Sequence, residues 1–464
     1  MRRALPALLL ASCYATTTAP VELGRIYAVD APQARQRLPS TLFVPGILGS
    51  RITDPETGLA YWGSVLGDAP KPAKDPEDLR KLALDVTRDV AWVDLHDELV
   101  ADAVLHVVAA ETPFGQLELR GYPGVLEGVA SWLTDEAEGR VTRVAKDDAK
   151  SGRTGLASAP YDWRLDLVAS ARQLAARVDA AVSLRQAATG EARVDLIGHS
   201  MGALVVRWYL MYGTADLRPD GSPPPLTWAG ARNARNVVLV APPNAGSPMV
   251  LESLVRGEKV SGMLPRYPAP LVGTFPSMYT MLPRARHATV VWADDETPVD
   301  VLDPTLWEKL GWGMFDPEQD EALAMLLPDA PDREARLQIV RAWMPRVLAR
   351  ARGIQAALDA RGDAPDHLRV HLFAGDSRAT PARYEVGRAT GELRPVGVEP
   401  GDGRVTRRSA LLDERDPNGP GGRLDSPIPW TTVHMGGGEH FSIVRDSAFL
   451  DGMLYLLLED PHGG

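Results

Sequence analysis

Cysteine is almost absent from this chain, since Cys13 is the only one among 464 residues. No disulfide can therefore form within the chain, and its stability must come from packing. Positive charge is also in deficit, with 50 basic residues against 61 acidic ones and a formal net charge of −11. Electrostatics thus disfavour a nucleic-acid partner. Long apolar runs are missing too, and beyond the first residues no segment is apolar enough to cross a membrane.

The chain starts with the features of an export signal. A basic start at residues 1–3 precedes an apolar run over residues 4–11 that is too short to span a bilayer. The stretch Leu-Ala-Ser-Cys at 10–13 resembles the lipobox of bacterial lipoproteins, in which the cysteine is lipidated and begins the mature chain. We therefore predict a cell-envelope lipoprotein anchored through Cys13. An ordinary signal peptide and plain secretion are the alternative.

The remaining composition is typical of a folded globular protein. Hydrophobic residues make up 45% of the chain and charged residues 24%, which allows a sizeable core. A length of 464 residues suits one large α/β core with insertions. The 39 prolines and 42 glycines predict long, turn-rich connections.

The most informative stretch runs from residue 193 to 212. An apolar run at 194–197 predicts a buried strand, and apolar residues at 203, 206 and 210 have helical spacing. Between them lies Gly198-His-Ser-Met-Gly202, the G-x-S-x-G pattern in a strand–turn–helix context. A side chain at either glycine would crowd the neighbouring strand or helix. The pattern predicts Ser200 as a nucleophile, raised above the sheet edge at a helix N-terminus.

The stretch from 41 to 50 predicts a second part of the same site. Residues 41–45 read as a buried strand that runs into the glycine-rich loop 46–50. Such a loop is where an α/β-hydrolase places a second oxyanion donor. The following segment, residues 51 to about 120, is rich in predicted loops and includes Trp62. It predicts either a lid or an aromatic cluster packed over the core.

Two further stretches bear on the surroundings of the site. At 159–165, Asp162 and Arg164 flank Trp163, and a buried charged pair of this kind needs internal partners and usually positions loops. Trp62, Asp162 and Trp163 are also our candidates for substrate contacts. Residues 251–365 lose the strand–helix alternation and accumulate methionine and tryptophan. These side chains predict a cap with its own small core or an adaptable apolar pocket for acyl chains.

A serine nucleophile needs a base and a carboxylate, which follow it in the order Asp or Glu, then His, in α/β-hydrolases. Of nine histidines, His440 is the best placed, after a glycine run and before a terminal helix, and His434 is the runner-up. Two carboxylates compete. Asp376 directly follows the predicted strand 370–374, whereas Asp402 lies in a Gly-Asp-Gly turn that we expect to expose its carboxylate. The separation of Asp402 from His440 leaves room for one more strand.

Together these residues resemble the family of lecithin:cholesterol acyltransferase and lysosomal phospholipase A2. The resemblance rests on VPGILG at 44–49, APYDWRL at 159–165, IGHSMG at 197–202, Gly401-Asp402 with Val405 and Arg408-Ser409, and Glu439-His440. It implies Ser200 as nucleophile, Asp402 as acid and His440 as base, with the backbone amides of Ile47 and Met201 as oxyanion donors. The animal enzymes have a disulfide-closed lid after the first strand, and this chain has no cysteine there.

The sequence thus predicts an α/β-hydrolase fold with a mostly parallel central sheet, an inserted helical cap and a lid-like loop. The expected segments are a signal (1–13), a leader (14–40), the first part of the core (41–250, with the lid-like loop at about 51–120), the cap (251–365) and the second part of the core (366–464).

The predicted function is that of an exported, membrane-associated serine esterase. It would form an acyl-enzyme from a phospholipid or similar ester and pass the acyl group to an alcohol or to water. Its partner would be a lipid at a membrane or aggregate surface, and no metal or cofactor is implied. Two alternatives stay open, namely a non-catalytic lipid-binding surface protein on a hydrolase fold and a carboxylesterase for small esters.

Overall fold

The computed structural model describes residues 41–63, 76–105, 107–112, 115–120, 156–258, 267–416 and 422–459. The expected export signal with Cys13 and the leader lie outside these residues, as do parts of the expected lid-like loop.

The strands of the described residues are β1 (Thr41–Val44), β2 (Ser50–Thr53), β3 (Ala60–Trp62), β4 (Val100–Val104), β5 (Val107–Thr112), β6 (Gly115–Arg120), β7 (Leu156–Ser158), β8 (Val194–His199), β9 (Ala234–Val240), β10 (Val290–Trp292), β11 (Arg369–Gly375), β12 (Arg378–Val386), β13 (Leu393–Gly401) and β14 (Thr432–Gly436). The α-helices are α1 (Pro76–Leu82), α2 (Leu167–Thr189), α3 (Met201–Tyr212), α4 (Pro248–Arg256), α5 (Ala269–Val272), α6 (Pro276–Thr280), α7 (Pro304–Leu310), α8 (Asp320–Leu326), α9 (Arg333–Leu358), α10 (Arg407–Leu411) and α11 (Ser447–Leu454).

Six strands form the central sheet, in the order β14-β11-β9-β8-β1-β7, and every neighbouring pair is parallel. The predicted strand between Asp402 and His440 is confirmed as β14, which pairs with β11 at the sheet edge. The chain leaves β1 toward β7 on one side and continues from β8 toward β9 on the other. Ligands of open α/β sheets bind at such a change of direction, beyond the carboxyl ends of the strands. The loops after β1 and β8 are therefore expected to line the site.

Two helices hold these loops against the sheet. The Asp166 side chain begins α2 by accepting the amide of Val168 at 2.9 Å, and Gly190 ends the helix in the left-handed conformation, with φ of 80°. Every residue of α3 is buried. A helix that is apolar all round lies within a core rather than on a surface, and α3 is covered by the sheet on one side and by α2 and α9 on others.

The region from 248 to 358 contains α4 to α9 and the short strand β10. Most of the methionines and tryptophans noted in its sequence belong to one core cluster with α3, including Met278, Met281, Trp307, Trp312, Met314, Trp343 and Met344. These side chains are buried together, and an adaptable apolar pocket for acyl chains among them stays a prediction. They fill the interface between the insertion and the sheet domain, since flexible and large apolar side chains pack irregular gaps well.

The structure also departs from a simple lid-like loop after β1. Strands β3, β2 and β4 form a small antiparallel sheet there, and an ion pair of 2.8 and 2.5 Å joins Arg51 to Asp102. A second small sheet, in the order β10-β12-β13, was not expected. No helix among the described residues is both long enough and apolar enough to traverse a bilayer.

Candidate active site

The turn after β8 holds Ser200 in a backbone conformation that only glycine adopts easily. Its φ is 52° and its ψ is −124°, and its amide donates to the carbonyl of Val240 at 2.8 Å. A Cβ at Gly202 would lie 2.2 Å from the carbonyl oxygen of Pro45, and a Cβ at Gly198 would lie 2.7 Å from the Cα of Ala203. The prediction that neither position admits a side chain is confirmed.

Ser200, His440 and Asp402 form one hydrogen-bonded chain. His440 Nε2 lies 3.0 Å from Ser200 Oγ, and His440 Nδ1 lies 2.8 Å from Asp402 Oδ2. The three residues are 7%, 5% and 2% exposed respectively. Because the carboxylate accepts at Nδ1, the proton of a neutral ring resides there and leaves Nε2 free to accept from the serine hydroxyl. The arrangement can thus remove the proton of Ser200.

Asp402 is buried, which corrects the expectation that its turn exposes the carboxylate. Oδ1 accepts the backbone amides of Arg404 at 2.9 Å and Val405 at 2.7 Å. Burial raises the pKa of Asp402, but the neighbouring His440 and the hydrogen bonds to the carboxylate outweigh burial and hold the pKa below its usual value. The group is a carboxylate at neutral pH.

The competing carboxylate, Asp376, directly follows β11 but does not reach His440. The hairpin of β12 and β13 leaves the sheet at this point and returns the chain to it at Asp402. A Cβ at Gly375 would lie only 2.8 Å from the Cβ of Asp402, so the acid sits against the end of β11. The acid therefore lies at the end of β11, where α/β-hydrolases are expected to place it, although the β12–β13 hairpin separates Asp402 from that strand in sequence.

His199, the histidine within the elbow, supports the backbone of His440. Its Nε2–H donates to the carbonyl of His440 at 2.9 Å, and the two rings are 5.1 Å apart. Burial, reinforced by the proximity of His440, lowers the pKa of His199 to about 3, so the ring is neutral. The amide of His440 also donates to the carbonyl of Asp402 at 3.0 Å. The backbone of His440 is thus held on both sides.

The runner-up base, His434, makes its contacts with other residues than Ser200 and Asp402. It stacks on Phe373 with ring centroids 4.4 Å apart, and its Nε2 is 2.9 Å from Thr432 Oγ1. This is a structural contact on the edge strand β14.

The two expected oxyanion donors lie next to the elbow in the chain's architecture: the loop after β1 carries Ile47, and Met201 is the first residue of α3, immediately after Ser200.

Two tryptophans hold the loop after β1. Trp62 Nε1–H donates to the carbonyl of Leu48 at 2.8 Å, and Trp163 Nε1–H donates to the carbonyl of Ser50 at 3.1 Å. The two indoles meet edge to face at 5.8 Å. Both rings are buried and their polar atoms bind the protein itself, so these contacts fix the loop. A contact of either ring with substrate stays a prediction.

Asp162 likewise has an internal partner. It pairs with the fully buried Arg164, at 2.7 and 3.0 Å, and Arg164 also pairs with Asp97 at 2.7 and 2.8 Å. Burial lowers the pKa of the Arg164 guanidinium, but Asp162 and Asp97 raise it by more, so the side chain stays charged. The pair ties the start of α2 to the segment after α1, as the interpretation of loop positioning predicts. Asp162 is 3% exposed, and its expected contact with substrate stays a prediction.

Sequence reasoning missed the role of the backbone around His440. The pattern Gly-His-Ser gives no signal that His199 bonds a residue 241 positions away, because that contact depends on how the last loop folds back. Among the described residues, no group of three or more His, Cys, Asp or Glu side chains could hold a metal ion.

The class of protein follows from this geometry. A parallel six-stranded sheet with a serine on the strained turn after a central strand, and with an aspartate and a histidine at the same edge, is an α/β-hydrolase fold. A chain of the Tle4–Tli4 complex shares the fold, with 15% identity, a TM-score of 0.54, and coverage of 91% of this chain and 98% of that one. Lipase BlEst2 of Bacillus licheniformis in its mature form (11% identity, TM-score 0.32, coverage 91% and 92%) and lipase 1 of Pelosinus fermentans (10%, 0.33, 91% and 98%) also match.

The family resemblance is confirmed within this fold. The sequence model of the lecithin:cholesterol acyltransferase family matches residues 148–310, a range that contains Asp162, Trp163 and Ser200. Asp402 and His440 lie beyond it, and their placement rests on the hydrogen bonds above. No curated protein matches the chain in sequence. At the general level, the family match supports a lipid ester hydrolase or acyltransferase.

Proposed function

We propose that this protein is a serine-dependent lipid acyltransferase or lipase that forms an acyl-enzyme on Ser200. The single observation that carries the proposal is the hydrogen-bonded chain from Ser200 through His440 to Asp402 on a strained strand–turn–helix elbow. Such a chain has a specific chemical use, since it lets a hydroxyl attack an ester at neutral pH.

In the first half-reaction, Ser200 Oγ forms a bond to the ester carbonyl carbon while His440 Nε2 takes the hydroxyl proton. Asp402 stabilises the resulting imidazolium through Nδ1. The backbone amides of Ile47 and Met201 are the proposed donors to the oxyanion. When the intermediate collapses, the bond to the leaving alkoxide breaks, and His440 returns the proton to that oxygen.

In the second half-reaction, an alcohol or water gives its proton to His440 and attacks the acyl carbon. The bond from that carbon to Ser200 Oγ then breaks, and His440 returns the proton to Oγ, which restores the free serine. Transfer and hydrolysis use the same residues, and they differ in how well the site excludes water from this step. Support for a lipid substrate comes from the family match over residues 148–310. We further propose that Cys13 anchors the protein in the cell envelope, which would place the enzyme beside such a substrate.

Product analysis tests the proposal. The protein and its Ser200→Ala variant are incubated with vesicles of a phospholipid that carries a radiolabelled acyl chain, with and without a long-chain alcohol. We expect labelled fatty acid without the alcohol, labelled alcohol ester in its presence, and neither product from the variant. The rate on a long-chain ester should rise when the ester passes from monomers to micelles.

Two outcomes would contradict the proposal. Faster turnover of short, soluble acetyl esters than of aggregated long-chain esters would indicate a small-ester carboxylesterase. Absence of any product, together with no covalent labelling of Ser200 by a fluorophosphonate, would indicate a non-catalytic lipid-binding protein.

A further inference from the structure

The loop after β1 contains a turn whose backbone conformation suits glycine better than the residue that occupies it. The carbonyl of Gly46 accepts the amide of Gly49 at 3.0 Å, which closes a four-residue turn. Of the two central residues, Ile47 and Leu48, only Leu48 has a positive φ, at 61°. This combination defines a type II turn, in which glycine or asparagine normally occupies the position of Leu48. The leucine is therefore held in a strained, left-handed conformation.

The turn fixes the direction of the Ile47 amide. The carbonyl of Gly46 and the N–H of Ile47 belong to one planar peptide group and point in opposite directions. Because that carbonyl points into the turn, the Ile47 amide points out of it. The turn also starts beside the elbow, since a Cβ at Gly202 would lie only 2.2 Å from the carbonyl oxygen of Pro45. The oxyanion donor of the proposed function therefore depends on the form of this turn.

Three hydrogen bonds hold the strained end of the turn. The consecutive carbonyls of Leu48, Gly49 and Ser50 accept, in that order, Trp62 Nε1–H at 2.8 Å, the amide of Leu105 at 2.9 Å and Trp163 Nε1–H at 3.1 Å. Of these three donors, Trp62 is the one that binds the strained residue itself. Its buried indole meets the rings of Trp163 and Tyr267 edge to face, at 5.8 and 5.7 Å. A donor fixed in this way opposes relaxation of Leu48 to a negative φ.

Relaxation of Leu48 would reach the oxyanion donor through the backbone. Strands β1 and β2 anchor the two ends of the loop, at Val44 and Ser50. A change of φ at Leu48 must therefore be absorbed by the few residues between these strands, and Ile47 is one of them. Displacing a group by about 1 Å in an active site can cost about 100-fold in rate.

We propose that Trp62 is a positioning residue for oxyanion stabilisation. It keeps Leu48 in the left-handed conformation and thereby aims the Ile47 amide at the oxyanion. This inference rests on the proposed function, because it concerns the chemical step at the same site. It gives Trp62 a role in the rate of that step, which does not require its ring to touch the substrate.

Removing the indole donor tests this role. Trp62→Phe keeps an aromatic ring but loses the N–H. We expect kcat on a long-chain ester to fall about 10- to 100-fold while KM changes less than about threefold, because the oxyanion forms only after the ester is bound. Trp208→Phe is the matched control, since it removes another indole donor to a backbone carbonyl, that of Ala215 at 3.3 Å, about 12 Å along α3 from Ser200. Its kcat should stay close to that of the wild type.

A second substitution tests whether Leu48 is the link. Added to Trp62→Phe, Leu48→Gly should restore most of the lost kcat, because glycine adopts a positive φ without strain. Leu48→Ala removes nearly the same side chain but keeps the Cβ, so it should restore little. Rescue by glycine and not by alanine would distinguish the backbone conformation from the packing of the leucine.

A long-chain trifluoromethyl ketone reports on the oxyanion directly. Ser200 Oγ adds to the ketone carbonyl carbon, His440 takes the hydroxyl proton, and the carbonyl oxygen becomes an oxyanion. The inhibition constant of the ketone should rise in Trp62→Phe by about the factor by which kcat falls. That of the corresponding secondary alcohol, which has no carbonyl to form an oxyanion, should not change.

Several outcomes would overturn the inference, namely a change confined to KM, an equal loss in Trp208→Phe, or equal rescue by glycine and alanine. If Trp62→Phe does not fold, Leu48→Val is the second test, because a β-branched residue resists a positive φ. It should lose kcat and ketone affinity while Leu48→Gly keeps both, and equal behaviour of the two would also refute the role. Failure of the proposed function would be distinct, since the wild-type protein would then neither hydrolyse the ester nor bind the ketone covalently.

Discussion

Replacing Asp402 by asparagine tests the acid at the one position where two carboxylates compete. Asparagine has nearly the same shape, and its carbonyl oxygen can still accept the amides of Arg404 and Val405 that now bind Oδ1. Its NH2 group then faces His440 Nδ1, which lies 2.8 Å from Oδ2. Because an NH2 group only donates, Nδ1 must become an acceptor and the proton of His440 must move to Nε2.

The consequence for turnover follows from that shift. A protonated Nε2 would face Ser200 Oγ at 3.0 Å and could no longer accept its proton. We expect kcat to fall by roughly four orders of magnitude, which corresponds to about 5 kcal/mol in the activation free energy. The fold should remain, since the two amide hydrogen bonds survive.

The control is Asp376→Asn, at the carboxylate that follows β11 in sequence. It should keep near-wild-type turnover. Both variants are assayed for steady-state hydrolysis of a long-chain ester and for the rate of fluorophosphonate labelling, with the melting temperature as a check of folding. If the folded Asp376→Asn protein loses the activity and Asp402→Asn keeps it, the assignment of the acid is mistaken.

Three further predictions concern other parts of the chain. His199 has a pKa of about 3 in the folded state and about 6.5 in the unfolded state. Below pH 6.5 the unfolded state therefore binds a proton that the folded state does not. As the pH is lowered from 6 to 4, this group should reduce the free energy of unfolding by about 1.4 kcal/mol per pH unit. Urea titrations of His199→Gln should lack that contribution, and an unchanged slope would contradict the buried, neutral ring. Gly202→Ala should destabilise the protein by about 1–3 kcal/mol and lower activity, because the added methyl would meet the backbone after β1, whereas Gly436→Ala, with nothing within 4 Å, should do neither; equal effects of the two would refute this. Cys13→Ala should release the protein from membranes while the purified domain stays active, and a wild-type chain that never incorporates radiolabelled fatty acid would favour plain secretion, although one acyl chain holds only weakly.

The elements that could be predicted from sequence are those with local constraints. The elbow at Ser200 needs two glycines, a strand and a helix within a few residues, so a short stretch of sequence is enough to predict it. The strands of the central sheet are short apolar runs bounded by turns, because both of their faces are covered. His440 was identified by its place after a glycine run and near the end of the chain.

The elements that could not be predicted depend on distant parts of the chain. Counting residues from a strand end favours Asp376, and only the return of the β12–β13 hairpin brings Asp402 to the same place. The burial of Asp402 was missed because a Gly-Asp-Gly turn is usually exposed, and here the chain folds over it. Trp62 and Trp163 look alike in sequence whether they meet a ligand or the loop that they in fact hold.

The hairpin between β11 and Asp402 has a consequence for how such a protein can be altered. Its two ends meet at one point, since Gly375 before it touches Asp402 after it, and the residues between them extend away to pair with β10. Changes of length or sequence at the far turn, around residues 387–392, would therefore leave the acid in its position. That turn is itself held by the inserted region, since Trp312 Nε1–H donates to the carbonyl of Gly391 at 2.7 Å and Arg388 bonds Asp294 at 2.8 Å. A change there would therefore disturb the packing of the insertion while the acid kept its place at the sheet edge.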